Sequence, residues 1–274
     1  MLFDRFQEST ESLFKEAAMQ PTTARRERSP GRSFTGGTFD IAERSGEGPS
    51  ATVAALEISI VAAASIGAFA LESWAASAGL VDVGESARGA FSVVVGTLTT
   101  LAVVRLRGGS WRDLGLERPA RWSTVPLWVL GILVAFVAGQ TLVPQLLSMF
   151  IELPEPDFSR YASIAGNLPA AIAMALILPL TASIPEEIIY RGFLIGRLEA
   201  IFRKTSAAPV LAVAVQSIIF ALIHFSWGIG GILLTAVMGV IWGTAYLLCG
   251  RNLWIVILAH SAGHILFVVG LYFA

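Results

Sequence analysis

The sequence predicts an all-α fold, a polytopic transmembrane bundle of about seven spans that follows a disordered N-terminal tail. Composition is the first observation: 55% of the 274 residues are hydrophobic, mean hydropathy is +0.70 and 14% are charged. A soluble domain carries about 25% charged residues. Distribution is the second observation, because residues 205–250 and 252–274 contain no Asp, Glu, Lys or Arg. These stretches exclude a soluble enzyme held by one anchor.

Charge and cysteine content exclude two further classes. The net charge is −1, and no basic patch interleaved with aromatic residues is present, so we expect no nucleic-acid partner. Cys249 is the only cysteine, which rules out an intramolecular disulfide and a cysteine-cluster metal site. The partners that we expect are the lipid bilayer and membrane-associated proteins or peptides.

Residues 1–50 form the predicted disordered tail. They are polar and mixed in charge, and Pro, Gly, Ser and Thr are frequent from Pro21 onward. No basic n-region precedes an apolar h-region, so the tail is not a secretory signal. Its first part has the pattern of an interfacial helix, with apolar residues near one helical face at Phe3, Phe6, Leu13, Phe14 and Ala17.

Seven apolar stretches predict the spans. Residues 51–162 hold three of them and residues 163–274 hold four. Glu57 lies inside the first span, and we favour a position near the membrane interface over a polar contact within the bundle. The predicted spans cover residues 51–74, 87–104, 123–150, 163 into the 186–191 motif, 207–225, 230–248 and 253–274.

Loop charges predict the orientation. The loop at residues 105–121 holds five arginines and two acids, whereas residues 152–159 hold three acids and no Lys or Arg. The positive-inside rule then places the first loop in the cytoplasm and the second outside. We expect a multi-pass cell-membrane protein with its N-terminus in the cytoplasm. The same rule assigns four more basic residues to the cytoplasm: Arg197, Arg203, Lys204 and Arg251.

Two adjacent carboxylates stand at the end of an apolar run. Glu186 and Glu187 follow the uncharged residues 170–184, and Arg191 comes four residues after Glu187. On a helix, positions i and i+4 face each other, so Glu187 and Arg191 are predicted to form an ion pair. Glu186 points about 100° away from that pair and is left free for chemistry. The plainer interpretation is an ordinary helix end with a surface ion pair.

The three histidines all lie in the hydrophobic C-terminal region. His224 follows Phe220 by four residues, and His260 and His264 are also four residues apart, so each pair shares a helix face. A lone intramembrane histidine is more often an interhelical hydrogen-bonding residue than a catalyst. Together with Glu186, however, these residues supply what water activation needs: a base, a group that holds the water, and oxyanion donors.

Helix counting places these residues at different depths. Glu186 is predicted near the inner end of the fourth span, His224 near the outer end of the fifth, and His260 and His264 near mid-membrane. They meet only if residues 185–202 dip inward or the fifth span begins deeper. Prolines 179 and 185 supply kink positions in the fourth span. We predict that the side chains of Glu186 and His224 lie within hydrogen-bond or one-water reach.

The order of the motifs resembles a known signature. Glu186-Glu187-x-x-x-Arg191, Phe220-x-x-x-His224 and His260-x-x-x are similar to the three motifs of the CAAX protease and bacteriocin-processing family. That family comprises intramembrane endopeptidases and includes the type II CAAX prenyl endopeptidases. The resemblance covers residues 163–274, which it identifies as the catalytic core.

The resemblance implies the site residues and their roles. Position 264 is a departure, because the family usually has Asn there and this chain has His. A neutral His donates a hydrogen bond as Asn does, but it also titrates and binds metals. The implied roles are general base for Glu186, water positioning for His224, oxyanion stabilisation for His260 with His264, and structural support for Glu187, Arg191 and Phe220.

Three hypotheses remain open from the sequence. The favoured one is a glutamate-type intramembrane endopeptidase with no cofactor, acting on membrane-associated or lipidated proteins. The second is a zinc variant that uses Glu186 and the histidines, although the chain has no His-Glu-x-x-His segment. The third is a non-catalytic binding or immunity-type membrane protein that uses the same polar pocket. The candidate substrates are prenylated CAAX termini, membrane-anchored leaders and precursor peptides.

Overall fold

The computed structural model describes residues 48–81 and 89–274. The predicted tail and its interfacial helix therefore lie outside the described residues, apart from residues 48–50. The described chain is helical and confirms the predicted all-α bundle; the helix ends lie within a few residues of the predicted spans, except that the fourth helix continues well past its predicted end. Its seven apolar helices are α1 (Ala51–Ser77), α2 (Ala90–Leu106), α3 (Val125–Ser148), α4 (Leu168–Phe202), α5 (Ala208–Leu222), α6 (Gly228–Leu248) and α7 (Leu253–Phe273).

Two of the seven apolar helices are shorter than the other five. In the described part of the chain, five helices are long and apolar enough to cross a membrane, so this is a multi-pass membrane protein. The other two, α2 and α5, have 17 and 15 residues. At about 1.5 Å per residue, α5 is only ~22 Å long, less than the ~30 Å hydrocarbon core. Residues that follow Leu222 therefore lie deeper than the end of a full span.

Helix α4 is long and irregular. It runs for 35 residues, and two π-helical segments, Pro179–Ser183 and Ile188–Leu194, flank the short α-helical stretch Ile184–Glu187. Proline lacks a backbone N–H and disturbs the regular hydrogen-bond ladder; Pro179 begins the first π segment, and Pro185 lies three residues before the second. Single π turns inside α-helices are frequent at functional sites.

Glycines allow the C-terminal helices to approach closely. A Cβ at Gly239 of α6 would press on the backbone and side chain of Ser217 in α5, and one at Gly243 would press on Val213 and Gln216. Small residues four apart on one helix are a common basis for tight packing between transmembrane helices. The α5–α6 pair therefore forms a rigid wall beside α4.

The basic loops gather at one end of the bundle. The backbone N–H of Leu253 donates to the carbonyl of Gly115 at 2.8 Å, which ties the start of α7 to the loop between α2 and α3. Arg251 donates two hydrogen bonds to the Glu199 carboxylate, at 2.8 and 2.9 Å. These bonds raise the pKa of the Arg251 guanidinium. The end of α4 and the starts of α5 and α7 therefore share one surface, which we call the basic end.

The acidic loop lies at the other end, which we call the acidic end. The N–H of Asp157 donates to the carbonyl of Trp227 at 3.0 Å, so this loop folds over the turn between α5 and α6. A Cβ at Gly230 would collide with the backbone of Pro154 and Pro156, which explains glycine at that position. Hydrogen bonds from Ser159 hold the pKa of Asp157 below its usual value.

Glu57 makes the polar contact that we considered the less favoured of two interpretations. Its carboxylate is 4% exposed and accepts from Arg197 Nε at 2.7 Å, and Arg107 Nε lies 3.1 Å away. Charged groups in or near hydrocarbon are costly unless paired. This contact fastens α1 and the end of α2 to the last turns of α4.

We expect Glu57→Gln to destabilise the protein by about 1–3 kcal/mol, because the amide leaves the partly buried Arg197 guanidinium without its charged acceptor. The measurement is the thermal unfolding temperature in detergent. Glu152→Gln, which changes an exposed carboxylate in the acidic loop, is the matched control. Equal unfolding temperatures for the two variants would contradict a structural role for the Glu57 contact.

Candidate active site

Helix α4 places Glu186 differently from the sequence expectation. We predicted a position near the inner end of the fourth span, but α4 continues through the motif to Phe202 and Glu186 is close to its midpoint. The continuation is stable because the next residues, including Phe193, Leu194 and Ile195, are buried in the core. Glu186 therefore lies in the same central layer as His260 and His264.

The ion pair predicted from the i, i+4 spacing is present and fully buried. Arg191 Nη1 donates to Glu187 Oε1 at 3.0 Å, and both side chains are inaccessible. The Arg191 guanidinium also lies over the Phe220 ring, 4.6 Å from its centre. A charge-neutral pair that also packs on an aromatic face is a stable way to hold charge in an apolar core.

His260 extends this pair into a cluster that reaches Glu186. A hydrogen bond of 2.7 Å joins His260 Nδ1 to Glu187 Oε1, the oxygen that Arg191 also contacts. The other ring nitrogen, Nε2, has no hydrogen-bond partner within the described residues and lies 3.9 Å from Glu186 Oε2. His260 therefore connects the neutralised carboxylate of Glu187 to the free carboxylate of Glu186.

His224 lies beyond the helix that we expected to carry it. Helix α5 ends at Leu222, and His224 precedes the 3₁₀ turn Phe225–Trp227. Because α5 is short, His224 lies deeper than the predicted outer end of a span. A bond of 2.7 Å joins its Nδ1 to the Phe220 carbonyl. A carbonyl only accepts, so Nδ1 carries a proton and Nε2 has the lone pair in the neutral ring.

His264 is held by a residue that we did not predict. Its Nδ1 forms a 2.8 Å hydrogen bond with Ser183 Oγ of α4. The rings of His260 and His264 are 4.5 Å apart, centre to centre. Ser183 is a small polar residue that precedes Glu186 by three positions, and this helical spacing is the only sequence signal for its role.

A cavity of about 550 Å³ brings the predicted residues together. Glu186, His224 and His264 line it, and His260 lies just behind Glu186. No direct hydrogen bond joins Glu186 to His224 among the described residues, so only their shared cavity supports the predicted one-water reach. The lining also includes polar and aromatic residues that sequence reasoning missed, namely Arg160, Tyr161, Tyr190 and Trp227.

The chemistry of this arrangement follows from its charges. Glu186 is 7% exposed and has no hydrogen-bond partner in the described part of the chain, whereas Oε1 of its neighbour Glu187 contacts both Arg191 and His260. In residues 48–81 and 89–274, no group of three or more His, Cys, Asp or Glu side chains is arranged to hold a metal ion. The cavity therefore offers one free carboxylate with imidazoles around it.

Breaking the buried ion pair should destabilise the fold. Arg191→Met leaves Glu187 buried without its cation, and we expect a loss of about 3–5 kcal/mol in stability. Glu187→Gln combined with Arg191→Met removes both charges and keeps an acceptor for His260, so the double variant should unfold at a higher temperature than Arg191→Met alone.

The matched control is Arg251→Met, which breaks the partly exposed pair with Glu199 and should cost about 1 kcal/mol or less. Unfolding temperatures in detergent, measured for all three variants, test the prediction. If the double variant is no more stable than Arg191→Met, the unpaired buried charge of Glu187 is not the cause of the lost stability.

Comparison with known proteins gives one match. Searches of curated proteins and of solved structures return no significant match. Residues 168–266 match the family model described as type II CAAX prenyl endopeptidase Rce1-like. The match runs from the start of α4 into α7 and contains all three sequence motifs, and it supports intramembrane protease activity in general. Residues 168–266 of this membrane protein are therefore similar to the type II CAAX prenyl endopeptidase Rce1-like family.

Proposed function

We propose that this protein is an intramembrane endopeptidase that hydrolyses peptide bonds of membrane-associated or lipidated proteins, with Glu186 as the base that activates water. One observation carries the proposal: a carboxylate without a hydrogen-bond partner in the described chain lines an apolar cavity that it shares with two histidines. A buried charge with no task is costly, and a general base needs this combination of burial and freedom.

The different surroundings of Glu186 and Glu187 support this mechanism. Glu187 is occupied by Arg191 and His260 and holds α4 against α7, so its charge is unavailable for catalysis. Glu186 takes a proton from water as the oxygen attacks the scissile carbonyl carbon. It then passes that proton to the leaving amine nitrogen as the carbon–nitrogen bond breaks. The carboxylate is regenerated and no external reactant besides water is needed.

The histidines are suited to the two remaining tasks. In the neutral ring of His224, Nε2 accepts a hydrogen bond from water, so His224 is our proposed positioning residue. His264 is a proposed oxyanion donor: when the Ser183 hydroxyl donates to Nδ1, the neutral ring carries its proton on Nε2. That N–H can then replace the amide donor implied by the family's usual Asn.

His260 is the second proposed oxyanion donor, and Glu187 sets its tautomer. The 2.7 Å contact between Nδ1 and Glu187 Oε1 contains one proton. That proton lies on Nδ1, because Glu187 is the anion that is paired with Arg191. Nε2 faces the space beside Glu186, and it donates to the oxyanion in the doubly protonated ring, whose charge the Glu187 carboxylate stabilises.

The first test compares wild type with Glu186→Gln. Gln keeps the size of the side chain and removes the base, so we expect cleavage to fall by about 10²–10⁴-fold. Newly exposed protein termini in the membrane fraction are mapped for cells with each protein, and the termini lost in the variant identify the substrates. Glu155→Gln, an exposed carboxylate in the acidic loop, is the matched control and should cleave normally.

If the termini of Glu186→Gln cells equal those of wild type, with both proteins folded and present, the hydrolase proposal is wrong. A cellular role that survives in Glu186→Gln would then assign the cavity to binding, as in an immunity-type membrane protein.

The second test addresses metal dependence. We expect cleavage by the purified protein to survive strong chelation, with metal present well below one equivalent, because Glu186 can activate water without a metal ion. Zinc would need three protein ligands around it. Activity that chelation abolishes and zinc restores would favour the metal-dependent alternative with Glu186 and the histidines as ligands.

A further inference from the structure

The two ends of the bundle carry opposite charge. The acidic end, in its described part, presents Glu152, Glu155 and Asp157, and Arg160 is the only basic residue there. The basic end presents the loop between α2 and α3, the end of α4 and the turn before α7. Its basic residues are Arg105, Arg107, Arg112, Arg118, Arg121, Arg197, Arg203, Lys204 and Arg251.

The cavity lies towards the acidic end. Its lining includes the last turns of α1 at Phe69 and Ser73, the start of α2 at Ala90, and Arg160 with Ser226 from the two loops of that end. Arg160 Nη1 donates to Ser226 Oγ at 3.3 Å, so these two loops meet where the cavity reaches the acidic end. None of the lining residues comes from the loops of the basic end.

The core closes the path from the basic end to Glu186. About two turns beyond Glu186 along α4, Phe193 and Ile195 are buried, and Leu253 at the start of α7 is inaccessible. A Cβ at Gly192 would already press on the backbone of Leu114, so the loop between α2 and α3 seals this side tightly. A polypeptide from the basic end would have to displace this packing to reach the carboxylate.

We propose that the catalytic cavity opens on the face of the membrane opposite the cytoplasm and receives peptide segments that are already outside. The basic end is cytoplasmic by the positive-inside rule, so the mouth formed by Ser226, Arg160 and Phe69 is outside. The substrate class, which rests on the proposed hydrolysis, is the extracytoplasmic part of an exported or membrane-anchored peptide. A lipid-modified tail in the cytoplasm does not reach Glu186.

Three serine-to-cysteine variants test this assignment in a Cys249→Ser background, which removes the only native thiol. Ser226 is at the cavity mouth, Ser159 is in the acidic loop, and Ser206 lies between α4 and α5 at the basic end; all three are exposed. Spheroplasts of a bacterial host are treated with a membrane-impermeant sulfonated maleimide, before and after lysis. We expect cysteines at 226 and 159 to react before lysis and the cysteine at 206 to react only afterwards.

Other patterns overturn the proposal in distinct ways. If the cysteine at 206 reacts before lysis and the cysteine at 159 does not, the basic end faces outside and the proposed orientation is wrong. Reaction at 159 with protection at 226, before and after lysis, shows that the mouth does not open to outside water. Labelling requires no catalysis, so it decides the orientation even if Glu186→Gln changes no cellular termini. If cleavage does depend on Glu186, the lost termini should all map to extracytoplasmic segments, and cytoplasmic ones would exclude the substrate class.

Discussion

The buried cluster of Glu187, Arg191 and His260 is the interaction on which the rest of the site depends. Hydrocarbon tolerates a carboxylate only when a cation or hydrogen-bond donors compensate it. Arg191 and His260 converge on one oxygen of Glu187, so α4 and α7 are fixed in register at that level. Because Glu186 is the adjacent residue, its direction into the cavity follows from this register. The contacts of Glu187 thus position the free carboxylate of Glu186.

The irregular winding of α4 serves the same arrangement. The two π segments bracket Ile184–Glu187 and change the direction in which successive side chains point. Thr97 of α2 compensates part of the disturbed ladder, since its hydroxyl donates to the carbonyl of Pro185 at 3.3 Å as well as to Val93 in its own helix. The N-terminal helices therefore support the domain that carries the motifs, besides forming one wall of the cavity.

Local patterns in the sequence were sufficient for the presence of the helices and for the Glu187–Arg191 pair, because hydropathy and the i, i+4 spacing depend only on near neighbours. They did not predict that α4 continues past the motif to Phe202, which depends on burial of those residues in the core. The depth of His224 was not predictable in this way, since it depends on where α5 ends, and the turn that follows α5 contacts the acidic loop, which is distant in sequence. Ser183 and Arg160 were missed for a related reason. Their partners, His264 and Ser226, are distant in sequence and meet only in the folded bundle.

The shortness of α2 and α5 also affects the surrounding lipid. Helices of 17 and 15 residues leave the bundle several ångströms thinner than the bilayer along those sides. Lipid tails adapt to such hydrophobic mismatch by shortening or tilting, which draws headgroups and their water inward. Both α2 and the end of α5 border the cavity. The membrane itself thus supplies a local indentation there, and water reaches the site over a shorter path than bilayer thickness alone implies.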